Sequence, residues 1–214
     1  MKAAVVADGP DRKRDILLAA ERLFARHGYH GVSIRDIAEE AGVQIALVGY
    51  YYGRKLELYH EIFRQRAGYI VERLKRLADA VAVAPKKTLL EEIVRAFVVP
   101  PLLVADDPDG YHFLRLLARG MADQSPEDDA PIRELFDPLA HAFIDALTAA
   151  LPGTPRATMA WCYQFALGVL MHHLVDVRIE RLSKGENRFG EFSSHAELMI
   201  RFIAAGIRGA CCKY

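Results

Sequence analysis

The sequence predicts an all-α protein: an N-terminal three-helix domain, then a larger C-terminal helical bundle, about nine helices in all, assembling as a homodimer. Three observations predict the helical fold. Apolar residues recur at three- and four-residue spacing along almost the whole chain, as on the inner face of amphipathic helices. Alternating strand patterns are absent. The character of the chain changes near residue 55, with short helices before it and long apolar ones after it. A chain of 214 residues, 52% apolar and 26% charged, has globular composition and enough length to bury a sizeable core.

The elements follow in order. Residues 1–11 read as a flexible arm, since Ala3 to Ala7 is too short for a signal peptide and an acidic, proline-containing stretch follows it. Residues 12 to 27 place Ile16, Ala19, Ala20, Leu23 and Phe24 on one face, and Gly28 stops that helix. Ser33 opens a second helix, with Asp36 three residues on completing a capping-box pattern. A break at Ala41-Gly42-Val43 leads to a short third helix from Gln44 to about Tyr51, ended by Gly53. These helices make a domain over residues 12–54, and 55–214 make the second.

In the second domain the spacing predicts one helix of about seven turns from Lys55 to Val81. A fifth runs from Leu89 to Val99 and ends at Pro100-Pro101. Asp106 to Gly110 is a turn, Tyr111 to Met121 a sixth helix, and Pro126 or Pro131 to Leu151 a seventh. The eighth runs from Pro155 to about Leu182, the ninth from Ser193 or Ser194 to Gly206.

Two short helices joined by a glycine-containing turn of three residues have the layout of a helix-turn-helix. The second of the pair would enter the DNA major groove. Its outer face must be slim at the base edges, and Ile45, Ala46 and Gly49 are small or modest in size; Gln44 belongs to the DNA-facing set as well. The hydroxyls of Tyr50 and Tyr51 and the cation of Lys55 suit phosphates, as do Ser33 and the free amides at its helix start; Arg35 joins this DNA-facing set. Three consecutive tyrosines cannot share one helix face, so Tyr52 is expected to turn inward. The formal net charge is zero, and the first 60 residues carry nine Lys/Arg against eight Asp/Glu, so DNA binding rests on placement and not on sum. On spacing alone, a helical hairpin packing its tyrosines on a neighbour remains open.

Residues 12 to 59, RKRDILLAAERLFARHGYHGVSIRDIAEEAGVQIALVGYYYGRKLELY, resemble the N-terminal domain of the TetR/AcrR family of transcriptional regulators. Part of that family carries an Asn-Tyr-His-Phe-Gly string after its recognition helix; here the string reads Gly49-Tyr50-Tyr51-Tyr52-Gly53. Tyr50 matches the family's phosphate-contacting aromatic. Gly49 stands for Asn, Tyr51 for His and Tyr52 for Phe, which puts the contacts of Gly49 and Tyr51 in doubt. The resemblance implies a ligand-binding and dimerisation domain in the rest of the chain, and a repressor released from a palindromic operator on double-stranded DNA by a small molecule.

The C-terminal residues are compatible with a pocket. Phe97, Leu102, Phe113, Leu117, Met121, Phe136, Phe143, Trp161, Phe165 and His172 are candidate lining, although apolar stripes of this kind also build plain cores. Few charges interrupt them, which points to a mostly apolar effector: a fatty acid, an acyl thioester or an aromatic compound. Residues 96 to 123, AFVVPPLLVADDPDGYHFLRLLARGMAD, faintly resemble the effector domain of fatty-acid-responsive members. Arg115, Arg119 and Arg178 are candidates for a carboxylate, with solvated or ion-paired arginines as the plainer alternative. A second apolar stripe on the last two long helices suggests another subunit; Leu167, Leu174, Arg178, Leu198 and Phe202 are the expected dimer contacts.

Other classes are disfavoured. Adjacent His172 and His173 point about 100 degrees apart on a helix and cannot chelate one ion as an i, i+4 pair does, so no metal is expected. No cofactor motif, nucleophile elbow, phosphate loop or cysteine-histidine constellation argues for an enzyme. A helical scaffold that has lost DNA binding stays open. No apolar run reaches the roughly 18 residues of a membrane span. Three cysteines, Cys162, Cys211 and Cys212, suggest free thiols in a reducing cytoplasm.

Overall fold

The computed structural model describes residues 10–211, with side chains from Arg12 onward. It is helical throughout, with no strand among the described residues, and it divides into two compact units: one through Gln65, the other from Arg66. Most of the arm expected over residues 1–11 lies outside the described residues, as does Cys212; Pro10 and Asp11 already belong to the first helix.

The first unit holds α1 (Pro10–His27), α2 (Ile34–Glu40), α3 (Ile45–Tyr52) and α4 (Lys55–Gln65). Ile16, Ala19, Ala20 and Phe24 of α1 are buried, as the periodicity requires. α1 packs on α2 and α4, whose Ile37, Ala38, Leu58, Tyr59, Ile62 and Phe63 are buried, and Val48 is buried on α3, which packs on α2 and α4. Phe24, Tyr29, Tyr59 and Phe63 form an aromatic cluster, with Tyr59 edge-on to the other three at 5.1 to 5.4 Å. Burying the apolar face of α4 in this cluster places it with the first unit, so the boundary falls one helix later than the break expected at residue 54. The seven-turn helix expected from Lys55 is two helices, interrupted at Arg66.

The second unit holds α5 (Ala67–Val83), α6 (Leu89–Ala105), α7 (Pro108–Asp123), α8 (Pro126–Pro131), a π-helical segment (Ile132–Phe136), α9 (Asp137–Ala150), α10 (Arg156–Val175), α11 (Ile179–Leu182), and α12 (Ala196–Cys211), entered through a 3-10 turn at Ser193–His195. α6 is the hub, packing on α5, α7, α9 and α12. Arg95 and Arg208 form ion pairs with Glu197 and Glu91 that tie α6 to α12.

Three sequence expectations need correction here. Pro100 and Pro101 do not end the fifth helix; they lie inside α6, fully packed. Proline removes the amide that would bond the carbonyl four residues back, so Pro101 orphans the Phe97 carbonyl. Arg73 of α5 supplies a substitute, its Nη2 donating to that oxygen at 3.1 Å. The turn expected over Asp106 to Gly110 is shorter, because Asp107 caps α7 by accepting from the Gly110 amide at 2.9 Å. The eighth helix stops at Val175, where the Asp176 carboxylate accepts from the Arg178 amide and guanidinium, a local turn that competes with helix.

Candidate nucleic-acid interface and effector cavities

The capping box read from the sequence is present. The Ser33 amide donates to Asp36 at 2.7 Å and the Asp36 amide donates to the Ser33 hydroxyl at 3.2 Å. The Ser33 amide and then its hydroxyl hold the Asp36 carboxyl below its usual range. Gly42, at φ +63°, makes the turn, and the Val43 amide closes it on the Ala38 carbonyl at 2.9 Å. The start of α2 and the approach to α3 are thereby fixed.

α3 has two unlike faces. Val48 and Tyr52 are buried, and the Tyr52 hydroxyl donates to the Lys13 carbonyl at 2.7 Å. Burial, then the charge of Glu61, pushes the Tyr52 phenol up to about 12. Gln44, Ile45, Ala46, Gly49 and Tyr50 face solvent, with Tyr50 75% exposed. The rings of Tyr50 and Tyr51 meet edge to face at 5.3 Å. This resolves the tyrosine run: Tyr52 anchors α3, Tyr50 stands free, and Tyr51 braces it. Ser33 and Arg35 are also exposed. Lys55 is placed differently from its expected role. Its ammonium donates to the carbonyls of Tyr29 and Val32, both at 2.9 Å, and lies 4.1 Å from the centre of the Tyr29 ring. It fastens the turn before α2.

Two hollows of the second unit are bordered by residues expected in the pocket. A cleft of about 600 Å³ is lined from α7, α8, the π-helical segment, α9 and α10, including Met121, Ile132, Phe136, Ile144, Tyr163 and Leu167. Pro138 cannot donate in the helical ladder, and the Asp137 amide reaches back to the Ile132 carbonyl, the wider π repeat that forms one wall. Another hollow, about 530 Å³, lies between the end of α10, the segment after it and α12, where His172, His173, Phe192, Leu198 and Phe202 meet.

Comparison with known proteins gives these units a family. Residues 16–62 match the model described as bacterial regulatory proteins, tetR family, and residues 95–206 match the tetracyclin repressor-like C-terminal domain. The chain belongs to the TetR family. Its curated relatives include the transcriptional regulator BetI of Agrobacterium fabrum, 36% identical over 42% of this chain and 40% of that one. The transcriptional activator FasR of Mycolicibacterium smegmatis is 25% identical over 49% and 45%. The chain thus spans less than half the length of these curated relatives in their matches. Among solved structures, a TetR-family regulator from Bordetella parapertussis shares the fold with a TM-score of 0.66 at 20% identity, over 91% of this chain and 95% of that one. FadR of Bacillus subtilis, solved in complex with stearoyl-CoA, shares it with a TM-score of 0.58 at 17% identity, over 90% and 98%.

Within this TetR-family chain, the residues expected in one pocket are dispersed. Met121 and Phe136 line the cleft, and Phe97 and Phe143 border a small void beside it. Leu102, Phe113 and Leu117 are buried core, and His172 borders the α10–α12 hollow. Trp161 and Phe165 line neither; they stack at 5.9 Å on the outer face of α10, each 64% exposed. Of the expected dimer residues, Leu198, Phe202 and Arg178 are exposed, but Leu167 lines the cleft and Leu174 is fully buried. The reason is that α10 is apolar on both faces, so periodicity alone cannot assign core and surface. Arg119 and Arg178 are ion-paired with Asp123 and Asp176, and Arg115 is exposed, so none supplies a buried cation. The histidine pair divides: His172 meets Asp176 at 3.0 Å, and His173 packs on Phe192, where burial lowers its pKa.

Sequence reasoning missed Arg73, which is 3% exposed. Its spacing held a signal: it falls three residues after Ile70 and four before Leu77, on the buried stripe of α5.

Proposed function

We propose that the protein is a homodimeric transcriptional regulator that reads a palindromic operator through α3 and is released by a small, mostly apolar effector. The observation that carries this is the outer face of α3: slim at Ile45, Ala46 and Gly49, edged by Tyr50 and Tyr51, and held rigidly by Val48 and Tyr52 beneath. Ile45 and Ala46 suit thymine methyl groups, Gln44 a base edge, and Tyr50, Ser33 and Arg35 phosphates. Lys55 serves this surface indirectly, by fixing the turn behind it.

The dimer reading rests on Trp161, Phe165, Leu198 and Phe202, large apolar side chains left in water on the two packed helices α10 and α12. A twofold dimer carries two copies of α3, one for each half-site of a palindrome. The α10–α12 hollow adjoins the face and shares Leu198 and Phe202 with it. The effector site of this reading is the cleft bordered by Met121 and Phe136. An apolar, acyl-bearing effector also agrees with the relative named fatty acid metabolism regulator protein of Bacillus subtilis and with FadR of that organism, solved in complex with stearoyl-CoA. Coupling runs along the chain itself: Arg66, between α4 and α5, donates to the Asp109 carbonyl at 3.1 Å and lies over the Phe113 ring of α7, a cleft helix. An effector that prefers one arrangement of this junction by about 1–3 kcal/mol suffices to release DNA. Repression is the direction we favour, as for the relative named AcnR repressor in Corynebacterium efficiens. The protein acts in the cytoplasm; among the described residues no helix is long and apolar enough to cross a membrane.

Selection of random-sequence duplexes by the purified full chain tests the reading. Enrichment of a palindrome, bound by a dimer, is expected. Absence of any enriched sequence at low salt overturns it and leaves the helical-scaffold alternative.

A further inference from the structure

The core of the second unit contains a cation with no anion beside it among the described residues. Arg73 is buried on α5, which packs on α6 and α9. Its guanidinium lies 5.0 Å from the centre of the Phe97 ring and 5.4 Å from those of Tyr69 and Phe143. Nη1 donates to the Tyr69 hydroxyl at 3.2 Å and Nη2 to the Phe97 carbonyl at 3.1 Å. Nε is buried and has no acceptor. A guanidinium has five N–H groups, and here two meet acceptors, both neutral. No carboxylate among the described residues pairs with it. Burial raises the phenols of Tyr69 and Tyr163, so neither supplies an anion in the neutral range. Aromatic faces offset part of the desolvation of a cation, but a buried charge ordinarily has a counterion.

The surroundings show where a counterion would come from. Phe97, Phe143 and Tyr163 border a void of about 10 Å³ in the core. Tyr163 also borders the 600 Å³ cleft, so its half-buried ring is common to the cage and the cleft. The cleft has acidic lining, part of which is locally answered: Asp129 pairs with Arg133 at 3.2 Å and Asp128 accepts from the Ser125 hydroxyl at 2.7 Å.

We propose that Arg73 anchors the free carboxylate of an apolar organic acid, whose hydrocarbon part occupies the α7–α10 cleft and whose head group passes Tyr163 as that ring turns aside. The proposal deepens the effector reading above and rests on it. It chooses among effector chemistries, because an ester or thioester presents no carboxylate to the guanidinium.

The test is titration calorimetry on the full chain with decanoate and phenylacetate, each beside its methyl ester. Wild type is expected to bind at least one acid about tenfold or more tightly than its ester, as a charge-assisted pair requires. In Arg73→Met the preference is expected to fall to about twofold or less, and Arg73→Lys to keep part of it, since a lysine retains the charge without the fork. Equal affinity of acid and ester for wild type, or binding of neither acid, overturns the proposal whether or not the variants fold. So does an acid preference that survives in Arg73→Met. Duplex binding is measured on the same preparations. Acid preference without duplex selection would keep the Arg73 site and remove the regulator reading, whereas duplex selection without acid preference would do the reverse.

Discussion

Lys55 in the first unit and Arg73 in the second are both cations set against aromatic rings and backbone carbonyls, yet they differ in what they have left to offer. Lys55 is half-exposed, and two of its three N–H groups bond the Tyr29 and Val32 carbonyls. Its charge is still reached by water, and its bonds hold a turn that positions α2. Arg73 is sealed from water, fills one carbonyl orphaned by Pro101, and retains N–H groups that nothing accepts. Counting donors, and not merely finding a cation beside a ring, separates a clamp on the fold from a candidate binding group.

The largest expected effect is at the clamp. Lys55→Met loses two charge-assisted hydrogen bonds and a cation–π contact, and should lower the unfolding free energy by about 2–3 kcal/mol in urea denaturation. Tyr52→Phe removes the bond to the Lys13 carbonyl and should cost about 1 kcal/mol. It carries a pH signature as well. The folded phenol, at about 12, lies above the ordinary value of 10.0, so its contribution is complete below pH 10 and fades as pH rises toward 12. Wild type should lose thermal stability over that window, and Tyr52→Phe should lose less.

Smaller effects sharpen the contrast. A Cβ at Gly49 meets nothing within 4 Å, so Gly49→Ala should stabilise by about 0.5–1 kcal/mol through helix propensity, seen as a raised Tm. Arg73→Met should change stability by less than about 1 kcal/mol, because relief of a buried charge offsets the unbonded Phe97 carbonyl and Tyr69 hydroxyl. A loss as large as that of Lys55→Met would make Arg73 a second clamp.

Legibility in the sequence followed how local each cause is. Ser33 with Asp36 and the Gly42 turn depend on neighbours a few residues away, and the helix-turn-helix of the first unit was readable from them. The second depends on distant partners. The helix runs on through Pro100-Pro101, and it is Arg73, from another helix, that answers the freed Phe97 carbonyl. Trp161 and Phe165 lie opposite the stripe that meets the core, a choice two apolar faces leave open. Arg73 was overlooked because a charged residue on an apolar stripe reads as an interruption of the pattern and not as a member of it.

The most direct test of the account compares wild type and Tyr50→Ala on the selected palindrome, by fluorescence anisotropy across a salt series. Tyr50 stands 75% exposed, so its removal should leave Tm and dimerisation unchanged. The account predicts about tenfold weaker binding, the loss of a phosphate contact at the groove edge. Unchanged affinity in a folded, dimeric variant would contradict the assignment of the α3 outer face as the surface that meets DNA.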